Sequence, residues 1–185
     1  MVDLIDQTPG IRPRPTLMRR LDATARLCFP AACTIVLMLL CLTPFGFADQ
    51  AQLLPATAYA CVWFWSLFRP GSMPPPVVFV IGVLLDLLGY LPLGVGVLGL
   101  LITHGIALRA RRVLTRQGFV VVWLAFVGVA VGAAALTWAL ACALFFRLLA
   151  PGPAVFQAII TVAIYPAIAI VFIRAHRSVA DPLQA

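Results

Sequence analysis

Few side chains in this sequence are able to do chemistry, and one of them stands where a charge is costly. Asp86 lies within Phe79-Val-Ile-Gly-Val-Leu-Leu-Asp86-Leu-Leu-Gly-Tyr-Leu-Pro-Leu-Gly94 and is the only acidic residue inside any long apolar run. A carboxylate at the centre of a membrane helix costs roughly 2.5–3.5 kcal/mol on insertion scales, and less near an interface. An Asp kept at such a position faces a protein interior, a wet cavity or a partner. The plainer alternative is a shallow Asp at headgroup depth that caps the turn after Tyr90. Two histidines are candidate acid–base partners. His176 is in the C-terminal tail and His104 in the inner half of a later apolar segment. In a straight hairpin turning near Pro92, His104 lies on the order of 8 Å deeper than Asp86 at 1.5 Å rise per residue. The two make a poor dyad, and His104 reads as a hydrogen-bonded packing residue. There is no glycine-rich phosphate loop, zinc-type His/Cys spacing or Ser-x-x-Lys motif, so no catalytic residue, metal or cofactor is expected. Five cysteines (Cys28, Cys33, Cys41, Cys61 and Cys142) lie in or beside apolar segments, without a Cys-x-x-Cys pair. They read as small buried hydrophobes.

The elements that must position these residues are membrane helices. Of 185 residues, 63% are apolar and 10% charged, and the mean hydropathy is +1.08. A soluble domain of this size would expose more polarity. Apolar segments cover Leu27–Phe47, Leu53–Phe68, Pro76–Gly89, Leu93–Leu108, Phe119–Leu149 and Ala154–Ile173. The expected organisation is a tail over residues 1–26, a six-span all-α membrane domain over 27–175 and a second tail over 176–185. A simple span needs about 20 residues, so the second, third and fourth segments are short and the fifth is long. Segments three and four meet at Gly89-Tyr-Leu-Pro-Leu-Gly94, an uncharged stretch rich in helix breakers, and a tight hairpin is expected there. The alternative, one helix from Pro76 to Leu108, would carry Gly89, Pro92, Gly94 and Gly96 in mid-span.

The net charge of +7 comes from thirteen Arg and no Lys against six Asp and no Glu. The arginines flank apolar spans, which argues for membrane topology and against nucleic acid. With six spans, Arg12, Arg14, Arg19, Arg20, Arg26, Arg69, Arg109, Arg111, Arg112, Arg116, Arg174 and Arg177 share one side, and Arg147 alone lies opposite. By the positive-inside rule both termini are cytoplasmic. The basic tail, the run Ala31–Leu42 and the small Ala48 imitate a cleaved signal, but an apolar stretch from Leu27 to Phe47 is long enough to span. Residues Thr16–Arg26 read either as a short amphipathic turn against anionic lipid or as a tail whose charges only set topology.

Gly82, Asp86 and Gly89 fall at i, i+4 and i+7 and share a helix face, which suits close approach of another helix. Asp86 is expected either to pair with Arg147 within the bundle or to accept hydrogen bonds from a partner helix docked on that face. A second small-residue stripe, Ala125, Gly128, Gly132, Ala135 and Ala139, is expected to pack inside the bundle. Trp63, Trp65, Arg69 and Pro70 close the second span, where indole rings serve as cytoplasmic interface anchors. Arg109, Arg111, Arg112 and Arg116 form a basic cytoplasmic loop.

These residues, in this order, resemble the bacterial rod shape-determining MreD family. The most specific match is Phe79-x-x-Gly82-x-x-x-Asp86 followed by Gly94, an apolar helix and an Arg-rich loop. Pro55, Phe64-Trp65 and Pro70 before it and Tyr165-Pro166 near the end support it. The resemblance implies a non-enzymatic inner-membrane member of the cell-elongation machinery. Its implied direct partner is MreC, within an assembly that includes MreB, RodA and a class B penicillin-binding protein, with membrane lipids around it. It also implies a fold similar to the substrate-binding subunits of energy-coupling-factor transporters. Within this family Gly82, Asp86, Gly89, Pro92, Gly94 and Arg147 would be partner-binding or structural residues. Two other classes remain: a small-molecule- or lipid-binding membrane protein, which needs a polar pocket, and an intramembrane enzyme, which needs two converging ionisable groups.

Overall fold

The computed structural model of the protein describes residues 17–43, 50–89 and 92–180, without the side chains of 17–26, 50 and 175–180. Arg12, Arg14, Tyr90 and the end of the C-terminal tail lie outside the described residues. Among those described there are α-helices and short 3-10 turns but no strand. The helices are α1 (Leu17–Leu40), α2 (Leu53–Phe68), α3 (Pro75–Leu88), α4 (Val95–Leu114), α5 (Phe119–Phe145) and α6 (Gly152–Ala180). Two of them, α5 over Phe119–Phe145 and α6 over Gly152–Arg174, are long and apolar enough to cross a membrane.

The helices begin and end where the local chemistry allows. Pro74 to Pro76 start α3, because proline has no N–H to leave unbonded in a first helical turn. Glycine follows at position 89, and a break of a few residues precedes α4, so segments three and four form a hairpin. Helix α1 starts at Leu17, ten residues before the expected apolar boundary, and is already turning at Cys41. Pro30 lies within it, and the Thr34 hydroxyl donates to the Pro30 carbonyl at 2.8 Å. Helix α6 likewise runs through Tyr165-Pro166 and past Ile173.

Helix α2 is the centre of the molecule. Every residue from Ala56 to Leu67 is buried, on all faces of the helix. A helix that is apolar all round needs neighbours all round, and α2 has them: α4 and α6 pack most extensively, with α1 and α3 completing the enclosure. Helix α5 stands outside this ring against α6 and α4. Its inward residues are Val122, Phe126, Ala130 and Ala134.

The aromatic residues of α2 hold this arrangement and correct one expectation. Trp63 and Trp65 are not interface anchors. Both are fully buried. Trp65 packs edge-on to Phe29 of α1, with centroids 6.1 Å apart, and lies 4.8 Å from Phe172 of α6. Trp63 lies 5.9 Å from Phe126 of α5, which stacks on Tyr165 of α6 at 4.5 Å. The two indoles tie α2 to three other helices. An interfacial position would have offered them polar partners at the cost of this contact area.

The expected basic loop is also largely helical. Arg109, Arg111 and Arg112 lie on the last turns of α4, and Arg116 alone follows in the turn. The Arg111 Nε donates to the Leu67 carbonyl at 3.0 Å. A cation there satisfies an end carbonyl of α2 and complements its negative terminus.

Candidate functional site

The hairpin residues singled out above come together around Asp86. Its carboxylate is buried, 1% exposed, and it is satisfied by the backbone at the start of α4. Gly94 N donates to Oδ2 and Gly96 N to Oδ1, both at 2.7 Å, and Val97 N donates to Oδ2 at 3.4 Å. A helix leaves its first N–H groups without intrahelical partners. In α4 each is accounted for: Val95 N bonds the Pro92 carbonyl at 3.2 Å, Gly96 and Val97 bond Asp86, and Leu98 N bonds Gly94 O at 2.9 Å. The capping role usually filled by a Ser or Asp just before the helix is filled here from the neighbouring helix. The positive end of α4 and its N–H donors complement the acceptor oxygens of Asp86.

Three glycines make this geometry accessible. Gly94 has φ +101°, a conformation that costs an L side chain dearly, and it turns the chain so that its own N–H points back at Asp86. A Cβ on Gly96 would collide with Asp86 Oδ1. A Cβ on Gly82 would lie 2.6 Å from the Val97 Cα, so this glycine lets the backbones of α3 and α4 touch. Gly89 closes α3 with φ −88°, and Pro92 contributes its carbonyl.

Both specific hypotheses for Asp86 are therefore corrected. Arg147 is exposed and makes no ion pair with it among the described residues. The Gly82 face is covered by α4 of the same chain and is closed to a partner helix. The second small-residue stripe is corrected in the opposite sense: Gly128, Gly132, Ala135 and Ala139 of α5 are exposed, and nothing stands within 4 Å of a Cβ built on either glycine.

His104 does not approach Asp86 as an acid–base partner. Its Nδ1 is 2.7 Å from the Ser66 hydroxyl of α2, in a buried pair that links α2 and α4. Replacing Ser66 with alanine strands that nitrogen and is expected to cost about 1–3 kcal/mol, read as a lower midpoint of thermal unfolding in detergent. Of the cysteines only Cys61 is buried, Cys28 is exposed, and no two are joined in a disulfide among the described residues.

One feature of this end of the molecule has no counterpart in any motif. A cavity of about 530 Å³ opens among α2, α5, α6 and the start of α4, beneath the loop that carries Arg147. Its polar lining includes Tyr59, Thr137, Gln157 and Thr161, contributed by three helices. Scattered single polar residues in apolar helices gave no sequence signal that they would converge.

No protein-family model matches this chain, and neither the curated proteins nor the solved structures contain a significant match to it.

Proposed function

We propose that this chain is a non-enzymatic membrane scaffold of the bacterial rod machinery, of the MreD kind. It would cross the inner membrane six times with both termini in the cytoplasm and support cell shape and peptidoglycan synthesis by holding an MreC-like protein. The observation that carries this reading is the use made of Asp86. The residue at the heart of the resemblance is committed to capping α4, and with Gly82, Gly94 and Gly96 it fixes the α3–α4 hairpin. The motif thus has a structural purpose, as a framework for other proteins requires. A membrane setting is supported by the outward surface of α5 and α6, where Val120, Leu124, Val131, Val155, Ile159 and Val171 are each more than half exposed. Such a surface suits lipid and is unusual for a protein facing water. Within a bilayer the short helix α2 would be screened from lipid by its neighbours, whereas α3 also presents Phe79, Val80 and Leu87 outward.

The uncovered Gly128/Gly132 face of α5 is where a single-span partner would find room, since small residues let helix backbones approach closely. The test is co-purification in mild detergent with a tagged MreC-like protein from a rod-shaped host. Recovery of the partner by the wild type, reduced several-fold by Gly128→Leu with Gly132→Leu while the melting temperature of the chain holds, is the expected result. Depletion of the chain should give round or swollen cells. Normal cell width under full depletion would count decisively against the assignment. Topology is checked separately: reporters after Arg112 and at Ala185 should both read cytoplasmic, and one within Pro151–Pro153 periplasmic.

A further inference from the structure

The cavity beneath the Arg147 loop is built in a way that packing alone does not require. Its roof, residues 146–150, is fastened at several points. Phe146 adopts a left-handed conformation with φ 51°, which is strained for a non-glycine residue. The Trp138 indole N–H donates to the Leu149 carbonyl at 3.1 Å, and the Leu149 N–H donates to the Cys142 Sγ at 3.3 Å. Arg147 N bonds the Cys142 carbonyl at 3.2 Å. These contacts hold the loop so that Arg147 stands at the mouth, and among the described residues Arg147 is the only charged one in the lining.

Inside, the polar groups retain unused capacity. Tyr59 is 6% exposed, and its hydroxyl has only the Thr137 hydroxyl beside it, without a well-formed hydrogen bond. The hydroxyl fits against Gly99, where a Cβ would strike it. Gln157 donates from Nε2 to the Thr161 hydroxyl at 3.1 Å, which leaves its Oε1 a buried acceptor without a donor. A buried acceptor in that state is destabilising, and a ligand donor would relieve it. The remaining walls are apolar and mostly small, including Ala130, Ala133, Ala141 and Ala154. The volume lies within the range of small-molecule sites, which are apolar with a few placed polar groups.

We propose that this cavity is a binding site for an amphipathic organic monoanion, its anionic group held at Arg147, its apolar body against the alanine walls and a hydrogen-bonding group near Gln157 and Tyr59. The proposal goes beyond the scaffold reading and does not depend on it. The same chemistry is offered by an anionic phospholipid and by a free aromatic or aliphatic acid.

The experiment is native mass spectrometry of the full chain in detergent. The probes are dihexanoylphosphatidylglycerol as anionic lipid, naphthalene-2-sulfonate as free anion, and dihexanoylphosphatidylcholine as a lipid without net charge. Saturable one-to-one binding of at least one anionic probe is expected, with phosphatidylcholine at least tenfold weaker. Binding of phosphatidylglycerol alone assigns a lipid ligand, and binding of the sulfonate assigns a free one. Arg147→Gln should weaken binding at least tenfold. Ala141→Phe, which fills the cavity without removing a hydrogen bond, should abolish it. Because Arg147 is exposed, the glutamine variant is expected to fold and decides the matter if the phenylalanine variant does not. Absence of one-to-one binding by both anionic probes, equal affinity of Arg147→Gln and wild type, or equal binding of phosphatidylcholine would overturn the proposal.

Discussion

Replacing Asp86 with leucine is expected to lower the stability of the full chain by about 2–6 kcal/mol, because it orphans the Gly94 and Gly96 amides at about 1–3 kcal/mol each. The bonds lost include the two at 2.7 Å, made to a carboxylate that is itself buried. Asp86→Asn keeps one acceptor oxygen but turns an NH₂ group toward an N–H donor, so its loss should fall between wild type and leucine. Gly82→Ala should also destabilise, by a different route: its Cβ would press on the Val97 backbone and separate α3 from α4. The measurement is the thermal unfolding midpoint of each purified variant in the same detergent. A wild-type midpoint for Asp86→Leu would show that the cap contributes nothing. An Asp86–Arg147 pair would make Arg147→Leu costly as well, whereas the cap predicts that Arg147→Leu leaves the midpoint nearly unchanged. Gly94→Ala gives an independent check, since it leaves the carboxylate in place and penalises only the backbone conformation at φ +101° that presents the amides.

The second large effect is expected at Trp65. Truncation to alanine should cost about 3–5 kcal/mol, the range for removing a large aromatic side chain from a packed core. The indole touches Phe29, Phe64 and Phe172, so its loss leaves a cavity bordered by α1 and α6 as well as by α2 itself. Trp65→Phe keeps much of the contact and should cost considerably less. An anchoring indole at a membrane interface would give another pattern, with little change in the unfolding midpoint and a shift in the depth or tilt of the helix. Near-equality of the Trp65→Ala and wild-type midpoints would restore that interfacial role.

How far the sequence could be read depended on whether a signal was local. The limits of α2 at Leu53 and Phe68 follow from the apolar run and its flanks, and they coincide with the observed helix. The α3–α4 break was legible because Gly89, Pro92 and Gly94 are each poor helix residues and lie within six positions of one another. Asp86 was recognisable as important because a carboxylate in an apolar segment is costly wherever it points. Its partner was not recognisable. The donors to a carboxylate can be backbone amides, which almost every residue carries, so residue types favoured Arg147 and missed Gly94 and Gly96. The Gly82 face was identified correctly as a place of close approach, but the approaching helix belongs to the same chain. The α5 stripe was assigned inward because small residues suit packed interfaces. Rotation of α5 about its axis is set by Phe126 meeting Trp63 of α2 and Tyr165 of α6, and this turns Gly128 and Gly132 outward.

The sequence by itself determined an all-helical chain, strongly apolar, with a hairpin around residues 89–94 and one carboxylate that must be satisfied. These properties follow from composition, from breaker residues and from the cost of an unpaired charge, all of which act over a few residues. Only the tertiary structure decided what satisfies Asp86, that Trp63 and Trp65 belong to the core, that His104 meets Ser66, and that Tyr59, Thr137, Gln157 and Thr161 line one cavity under the Arg147 loop. Each of these depends on the rotation and depth of one helix relative to another. Those quantities are fixed by side-chain packing between segments far apart in sequence, and residue order along a single helix does not contain them.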